Sequence, residues 1–139
     1  MKDIIIKKLI PKFTTVLTTM DVYPEDLYAN GVLVFPRGTL KLYQRVISVG
    51  DSVKCCKEGD LVLLNLQNYM VRKYKENSIK NDMDNMEETV TYNLPKLFIG
   101  GEIVGKFQDR DIEGVIADWE EAELDTGNPG KGIKGNKLL

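Results

Sequence analysis

The sequence predicts an all-β fold, and three observations predict it. Short runs of β-branched and aromatic residues recur along the chain. Glycine, aspartate and asparagine punctuate the gaps between those runs at close spacing. No stretch carries the apolar periodicity of an amphipathic helix three turns long. Short strands joined by such turns suggest a small antiparallel barrel.

The elements follow in chain order. Phe13–Thr19 is rich in β-branched residues and reads as the first clear strand. A loop over about 18–34 comes next, punctuated by Pro24 and Gly31 and weighted with Tyr23, Leu27 and Tyr28. It ends in the aliphatic run Val32-Leu33-Val34. On periodicity alone Val32–Phe35 reads equally as a core strand or as an exposed edge. If exposed, it carries a solvation cost of about 25 cal/mol per Å² of apolar surface, and such surface usually has a partner. Arg45–Val49 is a strand closed by Gly50, and Glu58-Gly59-Asp60 turns the chain into the strand Leu61–Leu64. Asn65–Asn68 reads as another turn, and Tyr69–Tyr74 alternates loosely, as a half-exposed strand does. Residues 75–95 are a long polar excursion with a short strand at Thr89–Tyr92. Glu102–Phe107 and Gly114–Ala117 are the last strands, with one helical turn at Asp109–Ile112 between them. The domain spans 1–122, and 123–139 is a flexible tail in which glycines alternate with Lys131, Lys134 and Lys137.

Composition narrows the function classes. A chain of 139 residues supports one domain that buries roughly two-thirds of its unfolded surface. With 42% hydrophobic and 29% charged residues it has an ordinary globular composition. No run of 18 apolar residues is present, so no helical membrane span is expected. The apolar core of Met1–Lys8 is too short for a signal peptide, and the location expected is cytoplasmic. Histidine is absent altogether, which removes the commonest general base and metal ligand. The reading is therefore not an enzyme, with no cofactor and no metal.

The remaining candidates for chemistry are weak. Cys55 and Cys56 are adjacent; on an extended strand they would point to opposite faces and could not close an unstrained disulfide. They also lack metal-site spacing and read as reduced structural thiols. Gly100-Gly101 lacks the helix and Lys-Ser/Thr of a phosphate loop. From Phe107 to Asp125 eight acids stand against Arg110 alone; nothing encloses the pair Glu120-Glu121, which reads as a solvated acidic face rather than an acid–base site. Trp119, the one tryptophan, anchors the end of the last strand or an interface. The tail's three lysines are too scattered to argue for nucleic acid.

Taken in sequence, several segments resemble the co-chaperonin family, the GroES-like lids of chaperonin cages. They are Ile4–Ile10, Phe13–Thr19, Gly31-Val32-Leu33-Val34, Arg45–Gly50, Glu58–Asn65 and Ile103–Phe107, followed by Asp109–Ile112 into Val115-Ile116. The likeness covers roughly residues 4–120. It implies a small, partly open GroES-like β-barrel with a long mobile loop, assembled as a homo-oligomer, a sevenfold ring in the family. It implies that Val32, Leu33 and Val34, with Leu27 and Tyr28 behind them, bind a chaperonin ring. It also implies that Ile4, Ile5 and Ile6 of one subunit pair with the Val115–Ile116 region of the next, which would hide two strand edges. Three departures stand out. Gly50–Glu58 is too short for the roof hairpin of cellular members, as in bacteriophage-encoded ones; residues 75–95 are an insertion; and the Gly/Lys tail has no counterpart.

Two functions follow from this pattern. One is a co-chaperonin-like lid that assists protein folding, acting in the host cytoplasm if phage-encoded. The other is a virion or assembly component that reuses the barrel without binding a chaperonin, making its contacts through 75–95 and the tail with Val32–Val34 buried. Neither involves nucleic acid or a membrane.

Overall fold

A computed structural model describes residues 1–75 and 87–127. The chain is all-β, with no α-helix among the described residues. Its ten strands are β1 (Thr15–Thr19), β2 (Leu27–Ala29), β3 (Val32–Phe35), β4 (Tyr43–Val49), β5 (Leu61–Leu64), β6 (Met70–Lys75), β7 (Glu87–Tyr92), β8 (Lys96–Ile99), β9 (Glu102–Gln108) and β10 (Ile112–Val115). Six of them form one sheet in the order β10-β5-β4-β1-β9-β8. The other four make two hairpins, β2–β3 and β6–β7. Every pairing is antiparallel. The sheet does not close: β10 and β8 are its two edges and do not pair with each other.

Alternation along the strands sets the core. On β4, Gln44 and Val46 point inward while Tyr43, Arg45 and Ile47 point out; on β5, Val62 and Leu64 are buried and Leu63 is exposed. Central β1 is different, with Val16, Leu17 and Thr18 all buried. Val16, Val46, Val62, Leu64, Leu66 and Phe107 form the main cluster, with Cys56 among them. The Tyr69 ring meets Phe107 edge-on, with centroids 5.7 Å apart.

Asp111 is the acid buried beneath this cluster, at the end of a 3-10 turn over Asp109–Asp111. Its carboxylate accepts from the Tyr69 hydroxyl at 2.5 Å, the Gln108 amide at 3.0 Å and Asn68 Nδ2 at 3.2 Å. The expected helical turn at Asp109–Ile112 is thus present in 3-10 form, pinned by its own last residue. Gly50, which closes β4, is required by a close approach: a Cβ there would lie 2.3 Å from the Phe13 carbonyl oxygen.

The N-terminal segment departs from the strand expected over Ile4–Ile10. Residues 1–14 join no ladder. They run past the β8–β9 turn, where the Gly100 amide donates to the Ile6 carbonyl at 2.9 Å. Lys7, Lys8 and Leu9 then line a groove together with Leu17 and Ile47 on the other face of β1 and β4. Residues 76–86 of the polar excursion and the Gly/Lys tail from residue 128 lie outside the described residues.

Candidate functional site

The loop expected over about 18–34 has Thr18 and Thr19 in β1 and, from residue 20 on, is part of a hairpin arm over 20–42. At its tip, Asn30 and Gly31 both take positive φ, 53° and 79°. That is the backbone of a two-residue primed turn, which only Asn, Asp or Gly adopts at low cost. The turn joins β2 to β3 with Ala29 opposite Val32, Tyr28 opposite Leu33 and Leu27 opposite Phe35, and a bulge between Leu27 and Tyr28.

The neck of the arm is also tied. The Tyr23 amide donates to Thr39 O at 2.9 Å, Gly38 N to Tyr23 O at 2.8 Å and Lys41 N to Asp21 O at 3.0 Å. Buried Gln44 locks the base. Its Oε1 accepts from Thr19 Oγ1 at 2.7 Å and Asp21 N at 2.9 Å, and its Nε2 donates to Asp21 O at 2.9 Å and Lys41 O at 2.7 Å. Every hydrogen-bonding capacity of the amide head is used, the condition for burying one at low cost.

One side of the arm faces the sheet across a cleft, and the other faces open solvent. Tyr23 stacks on Phe35 with centroids 4.7 Å apart, and the Lys41 ammonium lies 5.4 Å from the Tyr23 ring and 5.7 Å from the Tyr43 ring. Burial first, and then the neighbouring Tyr43, pushes the Tyr23 phenol above its ordinary pKa. Together Tyr23, Phe35, Leu42, Leu94 and Ile103 line an apolar cleft of about 780 Å³ between the arm and the sheet.

The solvent-facing side is β3. Val32 is 65% exposed, Leu33 and Val34 45% and Phe35 38%, so four apolar residues in a row meet water. Of the two arrangements that periodicity left open, the structure has a strand, but not a core strand. Leu27 is buried and Tyr28 half-buried, so these two anchor the hairpin and do not share the exposed surface. The outer edge of β2 is capped by the Tyr28 amide donating to Asp125 O at 2.9 Å. Among the described residues β3 pairs with β2 alone, which leaves its outer edge open.

The expected subunit-contact residues lie apart in the protomer. Ile4 and Ile5 are 81% and 82% exposed, and Ile6 is half-buried beside the turn that follows edge strand β8. Exposed Val115 ends β10 at the opposite edge, and the half-buried Ile116 beyond it donates its amide to Leu61 O at 2.8 Å.

Two features escaped the sequence reading although their signals were present. Asn30-Gly31 and Gly100-Gly101 are both two-residue hairpin turns, the second with φ of 61° and 84°. Each is among the dipeptides that mark a hairpin between apolar runs. Recognising them predicts β2, which was read as loop, and β8, which was assigned no element. Gly100-Gly101 was weighed only as a phosphate loop. Comparison with protein-family models, curated proteins and solved structures gives no match to this chain.

Proposed function

We propose that this chain is a co-chaperonin-type binding module that docks on a chaperonin ring through β3 and performs no chemistry of its own. The observation that carries the reading is the exposed run Val32-Leu33-Val34 on an ordered hairpin with an open edge. Burying these side chains in an apolar groove is favourable by about 25 cal/mol per Å². Ordering a loop on docking costs about 1–2 kcal/mol per residue, and a hairpin already closed by Asn30-Gly31 avoids most of that cost. A virion component would bury Val32–Val34 within the subunit, so their exposure supports the docking reading.

Assembly into a ring fits the same reading. The exposed Ile4 and Ile5 lead to Ile6 beside the turn at one sheet edge, and exposed Val115 ends β10 at the other. Different apolar surfaces at opposite edges would join copies head to tail, the contact type that closes into rings, and the family resemblance implies a sevenfold ring. Each docking contact is weak alone and multiplied by the ring through effective concentration.

The deciding experiment is limited proteolysis of the free protein and of its mixture with a chaperonin and nucleotide, alongside native mass measurement. The proposal expects residues 18–34 to gain protection in the mixture and the protein to run as a closed ring. Unchanged cleavage and no co-migration with the chaperonin would overturn it.

A further inference from the structure

The adjacent cysteines are not on a strand, and this alters what they can do. The chain bends at Cys55, between β4 and β5, and the two Sγ atoms come to 3.7 Å instead of facing apart. Both thiols are free; Cys55 is exposed, and Cys56 is buried in the main core cluster. The separation is well beyond the roughly 2.05 Å of a disulfide, which two neighbours in sequence close only with strain. Zinc would need more donors than two sulfurs, and no group of three or more His, Cys, Asp or Glu residues suited to a metal occurs among the described residues. A pyramidal trivalent metalloid is different. It holds two sulfurs at nearly a right angle, so a dithiol with neighbouring sulfurs chelates it without a third protein ligand. Linear two-coordinate mercury would require the sulfurs to move apart.

We infer that Cys55 and Cys56 form a chelating dithiol site for trivalent arsenic. Exposed Cys55 makes the first As–S bond, and Cys56 closes the chelate from the core side. With an arsenoxide, R–As=O, the step is a condensation: two S–H bonds and the As=O bond break, two As–S bonds form, and both protons leave with the oxygen as water. Arsenic remains trivalent and the sulfurs are not oxidised, so no oxidant is needed. Burial, together with the neighbouring thiol and the charges of Asp60 and Asp109, holds the Cys56 thiol protonated. Exposed Cys55 therefore attacks first, and Cys56 gives up its proton to the departing oxygen as the chelate closes.

The test uses the full chain, reduced with a phosphine and treated with phenylarsine oxide. Intact mass should rise by one phenylarsenic group less two protons, with no thiol left for alkylation and reversal by a small dithiol. Cys55→Ser, at an exposed position, should retain the adduct at least about 100-fold less well, because closure of the second bond is intramolecular. An adduct held equally by Cys55→Ser, or two thiols still free in the wild-type chain, would overturn the inference. Repeating the reaction in sub-denaturing urea separates a native site from an opened chain: an unchanged rate supports the site, and a rate rising steeply with urea refutes it.

Discussion

Gln44 grips both backbone groups of Asp21, accepting from its N–H and donating to its carbonyl, each at 2.9 Å. A side chain from β4 thus completes the pairing of Asp21, whose carbonyl also accepts from the Lys41 amide across the neck. Since Gln44 also bonds Lys41 O, one amide joins both legs of the arm that carries β3.

Replacing Gln44 by leucine fills a similar volume but removes the partner of the Asp21 amide and the Lys41 carbonyl at a partly buried neck, while Asp21 O keeps its bond from Lys41 N. Urea unfolding should show a loss of roughly 2–4 kcal/mol. Proteolysis within residues 21–41 should accelerate in the same variant, because the legs are released before the core.

Leu33→Asp puts a charge in the middle of the exposed run. Leu33 is nearly half exposed, so the fold should lose less than about 1 kcal/mol. Capture by an immobilised chaperonin with nucleotide should be abolished. A folded variant that still binds would remove β3 from the contact. As a contrast, Phe107→Ala, at a fully buried ring, should cost about 3–5 kcal/mol by denaturant titration.

Gly31→Val tests the preformed hairpin. No atom lies within 4 Å of a Cβ placed there, so the penalty is conformational and comes from φ near +79°. A β-branched residue in that region costs on the order of 1–3 kcal/mol. Amide exchange in Leu27–Phe35 should quicken while exchange in β1 and β4 stays unchanged, and chaperonin docking should weaken.

Alkali should unfold the protein through its buried acids. Burial first, then the Asp111 hydrogen bond, raises the Tyr69 phenol from 10.0 to about 12, and burial raises the Cys56 thiol from 9.0 to about 12. Both groups hold their protons longer in the folded state than in the unfolded one. Their contribution is complete below the unfolded values and is lost as pH climbs through the folded ones. Thermal melts should therefore decline from about pH 9 to 12, and Tyr69→Phe should flatten the part that begins at 10.

How far the sequence could be read depended on whether local signals acted alone. Leu61–Leu64 was read at the bounds the structure has, since a Gly-Asp turn and an apolar run define it locally. The segment Glu102–Phe107 ends one residue short of β9, and Arg45–Val49 two residues inside β4, where register with β5 extends the ladder to Tyr43. The N-terminal isoleucines have strand propensity without a strand, because no partner edge in the protomer meets them.

The sequence by itself determined the all-β class, the order of the main strands and the segment that carries Val32-Leu33-Val34. Those depend on side-chain branching, alternation and turn residues that act over a few positions. Tertiary structure alone decided that the main sheet stays open, that the arm is a locked hairpin and that β3 faces water. It also brought the two cysteine sulfurs onto one side of a bend. The physical reason is common to the first three. Each depends on groups distant in sequence, such as Thr19 with Gln44 or Tyr28 with Asp125, and pattern within one segment carries no record of such contacts.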